Sequence, residues 1–253
     1  MRSAMNFKFG AGGNFSSVND MKICFKVIAE DFNKFLRNGV DVSFLNFNSL
    51  GEMSRFSASE LNKFAFCLDG GLLCLFARAK GLWVSRVSFD FTSIASSVFH
   101  YCEREGRSVF IVGGTREDAE RFEMKVRSLF SGLKVAGVSG GYLSDQERNQ
   151  LICSDQLRSA DVLIVGLGAG RQEQFMLDAR AAGFTGFGIS CGAFISQTAR
   201  TQGVHYYPQL INSLRLRFLY RMYREPHTIR RYVLNYPLNI IRFVMGKYCF
   251  IRC

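Results

Sequence analysis

Short apolar runs, rich in β-branched and aromatic residues, alternate along the chain with longer stretches of helical periodicity. Six runs predict β-strands, at residues 40–47, 64–68, 108–112, 134–138, 161–166 and 184–189. Alternation of strand and helix is typical of parallel α/β architecture, in which crossover helices cover both faces of the sheet. The pattern therefore predicts an α/β fold with a mostly parallel sheet and helices on both of its faces.

Two of the intervening helices carry clear N-terminal signals. Thr115 is the predicted N-cap of a helix over residues 115–130, with Glu117 and Asp118 in its first turn. Ser144 begins a second helix over residues 144–157, and Glu147 follows it at the spacing of a capping box.

Charge divides the chain unevenly. The 253 residues include 32 Lys and Arg against 21 Asp and Glu, a formal net charge of +11. Nine basic residues and a single acid, Glu225, lie from Ser213 onward, which places a charge of +8 in this tail. Its basic residues are interleaved with aromatic and aliphatic ones, a mixture typical of helices at a membrane surface.

Three segments are therefore predicted: a flexible arm at residues 1–19, an α/β domain at 20–212, and a basic, amphipathic, membrane-associating helical appendage at 213–253. No apolar run reaches the roughly 20 residues that a membrane-spanning helix needs. The excess of positive charge indicates an anionic partner, which is a phosphate-bearing ligand, an anionic membrane or a nucleic acid.

Glycine-rich turns follow three of the predicted strands. They span residues 112–115, 139–142 and 166–170, and the candidate ligand-binding residues in them are Gly113, Gly114, Gly141, Tyr142, Gly166 and Gly168. At the carboxyl edge of a parallel sheet, glycines let backbone N–H groups approach a phosphate. The alternative is that they only make tight turns. Arg171 replaces the third glycine of the dinucleotide fingerprint, which argues against an NAD-dependent oxidoreductase.

Polar side chains follow other strands. Asp69 stands between an apolar run and Gly70-Gly71, where a carboxylate can act as a general base or can only cap the next helix. Asn46 and Asn48 end another strand, where they can bind a sugar or base or cap a helix. Gln172 and Glu173 begin the helix after the third glycine turn; they can bind ligand hydroxyls or form a solvated first turn.

Metal and disulfide chemistry have little sequence support. The eight cysteines include no Cys-x-x-Cys pair, and the three histidines, His100, His205 and His227, are scattered. The sequence therefore predicts no metal site, and the free cysteines fit a reducing, cytoplasmic compartment.

The order of these motifs resembles the WecG/TagA/CpsF family of bacterial glycosyltransferases over residues 44–232. The anchoring motifs are Leu45-Asn46-Phe47-Asn48, Leu68-Asp69-Gly70-Gly71, Ser85-Arg86-Val87, residues 109–114, Gly141-Tyr142, Val165-Gly166-Leu167-Gly168, Arg171-Gln172-Glu173 and Phe218-Leu219-Tyr220-Arg221. The resemblance implies a Rossmann-like domain and an inverting glycosyl transfer that requires neither metal nor cofactor.

The resemblance also implies roles for particular residues. Asp69 would be the general base on the acceptor hydroxyl. The substrate would be bound by Asn46, Asn48, Gly70, Arg86, Gly113, Gly114, Gly141, Tyr142, Gly166, Gly168, Gln172 and Glu173. Arginines of the appendage would meet the nucleotide diphosphate, with Arg221 as the closest motif match and Arg230 and Arg231 as further candidates. The implied partners are a UDP-sugar donor, a polyprenyl-diphosphate-linked acceptor and the anionic inner face of the cell membrane. No specific nucleic acid is implied, and a homo-oligomer is left open.

Departures from the family pattern affect the expected donor. Residues 191–195 lack the threonine and aspartate of the family motif, and Tyr206-Tyr207-Pro208 and Ser88-Phe89-Asp90 also differ from it. These changes favour a hexose such as glucose over N-acetylmannosamine, in exopolysaccharide or surface-glycan synthesis. The alternatives are a UDP-N-acetylmannosamine transferase of the same family and a non-catalytic protein that binds nucleotides or nucleic acids.

Overall fold

The described residues form a single eight-stranded sheet in which every strand pair is parallel. The structure, a computed structural model, describes residues 22–29, 32, 39–201, 203 and 217–253. The predicted arm at residues 1–19 and the predicted domain boundary at residues 212 and 213 lie outside these residues. The predicted α/β class and the parallel sheet are confirmed.

Six of the eight strands are those that the hydrophobic pattern predicts, with small shifts at their ends. In chain order the strands are β1 (Ile23–Val27), β2 (Asp41–Leu45), β3 (Phe64–Leu68), β4 (Ser108–Gly113), β5 (Lys134–Ser139), β6 (Val162–Gly166), β7 (Phe187–Ser190) and β8 (Tyr248–Arg252). Their order across the sheet is β5-β4-β6-β7-β2-β3-β1-β8. The sequence analysis does not predict β1 or β8, which pair with each other at one edge.

Helices connect most of the strands. They are α1 (Phe47–Met53), α2 (Ala58–Leu61), α3 (Gly71–Ala79), α4 (Ala95–Arg104), α5 (Arg116–Leu129), α6 (Asp145–Ile152), α7 (Asp155–Arg158), α8 (Arg171–Ala181), α9 (Phe194–Ala199), α10 (Arg217–Arg224) and α11 (Tyr236–Val244). A 3₁₀ turn (Pro226–Thr228) and a π-helical turn (Arg231–Asn235) connect α10 to α11.

The sheet separates two apolar cores. Along β4, Phe110 and Val112 point into one core, whereas Val109 and Ile111 point into the other. Alternate side chains of a strand face opposite sides, so a strand covered on both faces is apolar at every position. This double burial explains why the central strands appear in the sequence as continuous apolar runs.

Local capping sets several helix boundaries. Thr115 and Ser144 cap α5 and α6 as predicted, each through a hydrogen bond that its side chain accepts from a backbone N–H of the first turn. The predicted helix over residues 144–157 is wrong in length, because Ser154 caps a separate α7. The first predicted strand also ends too late. Asn46 Oδ1 accepts hydrogen bonds from the N–H groups of residues 48 and 49, so the chain turns into α1 at Phe47.

The described part of the basic tail is tied to the core. The Phe243 ring on α11 packs edge-on against Phe47, at 5.9 Å between ring centroids, and against Phe76 of α3 at the same separation. Asn239 Nδ2 donates to the carbonyl of Phe47 at 2.7 Å, and Tyr248 Oη donates to Asn239 Oδ1 at 3.1 Å. β8 then adds a strand to the sheet beside β1. None of the helices in the described ranges is long and apolar enough to cross a membrane.

Candidate active site

A cleft of about 2000 Å³ lies at the carboxyl ends of β2 to β7 and reaches the appendage. Of the predicted site residues, its lining includes Asn46, Asn48, Asp69, Gly70, Arg86, Gly114, Gly141, Tyr142, Gly166, Gly168, Gln172 and Arg231. Gly113, Glu173 and Arg230 are outside the lining. Arg221 lies on α10, and its side chain is outside the described part of the structure. The fold therefore brings most of the predicted residues together at the edge where open α/β sheets bind ligands.

Asp69 lies directly after β3, and its carboxylate is paired with Arg86. Arg86 donates from Nη2 to Asp69 Oδ1 at 2.7 Å and from Nε to the Asp69 carbonyl at 2.6 Å. The Asp69 N–H donates to the carbonyl of Leu45 at 2.8 Å, which continues the pairing of β2 and β3. The two charged side chains are 32% and 34% exposed, so a ligand in the cleft can reach them.

Asp69 does not cap a helix, which was the alternative role considered for it. Gly70 is the N-cap residue of α3, and no side chain caps that helix. Asp69 is instead held from two sides, by its own strand and by the arginine. A carboxylate fixed at the rim of a cleft in this way has the geometry of a general base.

The glycine turns have two different explanations. A Cβ at Gly113 would lie 2.7 Å from the carbonyl oxygen of Gly166, its register partner on β6. Glycine at 113 thus serves the packing of adjacent strand ends. Gly168 has φ +82° and lines the cleft without a close neighbour, so its backbone is open to a ligand. The close approach of two strand ends therefore explains Gly113, and the ligand-binding interpretation is consistent with Gly168.

Glu173 is buried, and its carboxylate fastens the third glycine turn to the sheet. Oε2 accepts from the N–H of Gly170 at 2.6 Å, while Oε1 accepts from Ser43 Oγ at 2.5 Å and from Gln172 Nε2 at 3.0 Å. Ser190 Oγ, on β7, in turn donates a hydrogen bond to Ser43 Oγ at 3.0 Å. Burial raises the pKa of Glu173, although the hydrogen bonds act in the opposite direction. The Glu173 side chain is therefore buried rather than solvated, and it does not line the cleft.

Gln172 connects this buried network to the cleft. Its Oε1 accepts a hydrogen bond from the N–H of Gly192 at 3.2 Å, in the loop after β7. It also lines the cleft, whereas its neighbour Glu173 does not. The pair thus fixes the loops after β6 and β7 relative to each other.

The two asparagines are engaged in protein contacts as well as facing the cleft. Asn46 caps α1, as its alternative interpretation predicted, and Asn48 Oδ1 accepts from Asn235 Nδ2 at 2.9 Å. The second bond joins α1 to the π-helical turn of the appendage. Asn48 is therefore one of the contacts that hold the appendage beside the cleft.

Arginines that the sequence analysis did not select also face the cleft. Arg78, Arg171, Arg200 and Arg224 belong to its lining. Arg200 forms a bidentate ion pair with Asp118 at 3.0 and 2.6 Å. Burial opposes ionisation of Asp118, but hydrogen bonds from Arg200 and Thr115 outweigh it and lower its pKa. Arg171 entered the sequence analysis as a missing glycine and as part of the Arg171-Gln172-Glu173 motif, but not as a predicted site residue. A cation at a helix start after a glycine turn is itself a signal for an anionic ligand.

The appendage reaches the cleft from the other side. Arg224, Glu225 and Arg231 line it, and Gln197 on α9 donates to Glu225 Oε1 at 2.8 Å. This bond and the Asn48–Asn235 bond attach the appendage at two separate places. Guanidinium groups from the tail and the carboxylate of Asp69 therefore share one cavity.

The described part of the cleft offers neither a reactive form of the Cys74 thiol nor a cluster of metal ligands. Burial raises the pKa of Cys74, which lines it, to about 11, so this thiol stays protonated at neutral pH. Within the described ranges, no group of three or more His, Cys, Asp and Glu side chains is placed to hold a metal ion. The charged groups in the lining are the acids Asp69, Asp90 and Glu225 and the arginines.

Comparison with known proteins identifies the family of this chain. The family model described as "Glycosyl transferase WecG/TagA/CpsF family" matches residues 15–250. A relative from Shigella boydii, named UDP-Gal:alpha-D-GlcNAc-diphosphoundecaprenol beta-1,4-galactosyltransferase, is 30% identical over 223 residues, which cover 85% of this chain and 91% of the relative. The match takes in the strand-end loops, the cleft and nearly all of the basic tail. This chain belongs to the WecG/TagA/CpsF family of glycosyltransferases.

Proposed function

We propose that the enzyme transfers a hexose from a UDP-sugar to a saccharide linked to polyprenyl diphosphate, with inversion at the anomeric carbon and without a metal ion. The observation that carries the proposal is the Asp69 carboxylate, held by Arg86 at the edge of a cleft that appendage arginines also line. The name of the Shigella relative makes galactose the first donor sugar to test and a GlcNAc diphosphate lipid the first acceptor.

The proposed reaction is a single displacement. The acceptor hydroxyl gives its proton to Asp69 as its oxygen attacks C1 of the donor hexose. The bond from C1 to the β-phosphate oxygen breaks, and the electron pair leaves with UDP. Because Arg86 occupies Oδ1, the acceptor hydroxyl would approach Oδ2. Attack from the face opposite UDP turns an α-linked donor into a β-linked product.

The leaving diphosphate requires positive charge in this scheme. A guanidinium can bind two phosphate oxygens at once, and it acts most strongly where water is excluded. Arg231 lines the cleft and supports this role, and Arg221 and Arg230 remain predicted contributors. The glycine turns after β4, β5 and β6 would hold the nucleotide half of the donor at the opposite side of the cleft.

Titration of the purified protein with nucleotides tests the donor. Binding of UDP and of one UDP-hexose, with an affinity unchanged by EDTA, is expected by isothermal calorimetry, because arginines supply the countercharge. UDP-glucose, UDP-galactose and UDP-N-acetylmannosamine should be compared in the same series. Loss of UDP binding in EDTA would contradict metal independence, and binding of NAD in place of UDP would contradict the proposed donor.

The enzyme is further proposed to act at the cytoplasmic face of the cell membrane as a peripheral protein. One face of α11 and the turn before it exposes Leu234, Leu238, Ile241 and Val244, at helical spacing. Arg230, Arg231 and Arg242 are exposed beside these apolar side chains. Cations next to an exposed apolar face suit a surface of anionic lipid headgroups.

Replacement of Ile241 and Val244 together by serine tests this surface. The double variant is expected to bind vesicles containing phosphatidylglycerol about tenfold more weakly, because two aliphatic side chains no longer enter the headgroup layer. Vesicle co-sedimentation measures the binding. The matched control replaces Met124 and Leu129, two exposed apolar residues of α5, by serine. Equal binding by all three proteins would remove this face from the membrane contact.

A further inference from the structure

Apolar side chains of α3 and of the appendage form part of the lining of the cleft, and we call this part the groove. It is lined by Leu72, Leu75, Val233, Tyr236, Pro237 and Ile240. Leu72 and Leu75 are 43% and 62% exposed, and Val233 is 60% exposed. Contiguous exposed apolar surface of this kind marks a site of interaction in most soluble proteins. The rest of the cleft, at the strand ends, is lined largely by glycine and polar residues.

The fold keeps the groove open. α3 begins two residues after Asp69 and turns Leu73, Cys74 and Ala77 into the core, which leaves Leu72 and Leu75 outward. Lys80 Nζ, just beyond the end of α3, donates to the carbonyl of Phe243 on α11 at 2.8 Å. This contact and the packing of Phe76 against Phe243 join the two walls at one place. Both helices are therefore braced by buried contacts, and their exposed apolar side chains do not close the space between them.

The groove belongs to the same cleft as the proposed base. Leu72 and Leu75 follow Asp69 within the first two turns of α3, and all three line the cleft. Arg224 and Arg231 line the same cleft. Apolar side chains, guanidinium groups and the Asp69 carboxylate therefore line one cavity. A sugar carried on a lipid diphosphate offers a matching set of groups, namely hydrocarbon, phosphates and a hydroxyl.

We propose that the groove binds the isoprenoid chain of the acceptor, at the units nearest the diphosphate. The proposal rests on the proposed function for the identity of the ligand, and it adds a site that selects acceptors by their lipid. It differs from attachment to the bilayer, because Ile241 and Val244 are exposed on α11 but do not line the cleft. Chain recognition and membrane docking are thus assigned to different side chains, which separate variants can remove.

The test is direct binding in the absence of membranes. Two GlcNAc diphosphates are titrated by calorimetry, one esterified with farnesol and used below its micelle-forming concentration, the other with ethanol. The double replacement of Leu72 and Leu75 by serine is expected to weaken binding of the farnesyl compound by about tenfold, because the chain loses two aliphatic contacts. Its effect on the ethyl compound and on UDP should be at least fivefold smaller. Both positions are exposed, so the variant is expected to fold.

The controls separate the outcomes. The Ile241 and Val244 double variant should bind the farnesyl compound as the unmodified enzyme does, and so should Met124→Ser. Equal binding of the farnesyl compound by the Leu72 and Leu75 variant and the unmodified enzyme would overturn the groove, as would equal weakening for both compounds. Turnover with a UDP-hexose is measured in parallel. Chain-dependent binding without any transfer would leave the groove in place and contradict the proposed reaction instead.

Discussion

Replacing Asp69 with asparagine is expected to lower the kcat for sugar transfer by about 10³-fold, the usual size of a general-base contribution. The amide has nearly the shape of the carboxylate but cannot accept the acceptor proton. The Kd for UDP should change by less than about twofold, because the proposed nucleotide contacts lie at the glycine turns and arginines. Single-turnover transfer and calorimetry of UDP measure the two quantities.

The neighbouring ion pair requires its own control. Asp69→Asn also removes the carboxylate nearest to Arg86, so a loss of activity can come from a displaced arginine. Asp90, at 4.0 Å from the same guanidinium, remains in the variant. Arg86→Gln distinguishes the two causes, because it keeps the carboxylate and removes the guanidinium. A base role predicts that Asp69→Asn is the more damaging of the two. Joint loss of transfer and of UDP binding in Asp69→Asn would contradict that role.

The position of Asp69 was predictable because it depends on topology. A residue that directly follows a buried parallel strand must lie at the carboxyl edge of the sheet, wherever the strand sits in the strand order. The same reasoning brought Asn46, Gly114, Gly141 and Gly168 to this edge. Local signals were equally informative where a cap and its helix are neighbours in sequence, as at Thr115.

Other features depend on contacts between distant parts of the chain. In the sequence, the residues of β8 look like part of the basic tail. They form a strand because they pair with β1, which lies more than about 200 residues earlier in the chain. Arg200 gives no local sign that it faces the cleft, since its position follows from the ion pair with Asp118 on α5. The groove between α3 and α11 is likewise invisible in the sequence, because it depends on Phe243 packing against Phe76.

The helix start at Glu173 was predicted correctly, but the burial of its side chain was not. The helix start after a glycine turn was predicted, but the direction in which its first turn faces was not. Packing of α8 turns Glu173 toward β2 and β7, where Ser43 and Ser190 supply hydroxyl groups. Its carboxylate therefore holds the turn at Gly170 in place.

Glu173→Ala is expected to lower the free energy of unfolding by about 3 kcal/mol, because it leaves a cavity and three buried donors without their acceptor. The donors are Ser43 Oγ, Gln172 Nε2 and the N–H of Gly170. Urea denaturation measures the loss. The Kd for UDP should rise in protein that is still fully folded, since the glycine turn is no longer fastened. A destabilised variant that keeps the original UDP affinity would limit Glu173 to stability.

Glu173→Gln is expected to change how the free energy of unfolding depends on pH. Burial raises the pKa of Glu173 above its ordinary value of 4.5. A carboxyl group with a raised folded pKa contributes stability that is full below the unfolded pKa and is lost as pH rises through the folded pKa. Glutamine does not titrate, so the difference in unfolding free energy between the two proteins should shift toward the variant as pH rises above 4.5.

Glu147 supplies a control of opposite sign. It occupies the matching position of the α6 capping box, but it is exposed, and hydrogen bonds from Ser144 lower its pKa. Its contribution is present above pH 4.5 and is lost as pH falls through the folded pKa, so Glu147→Gln should cost stability mainly at neutral pH. Denaturation of both variants from about pH 3 to about pH 8 gives the two trends in one series, because the loss at Glu147 falls below pH 4.5. Parallel trends would contradict the prediction. They would mean that the hydrogen bonds to Glu173 outweigh its burial and lower its pKa, as they do for Glu147.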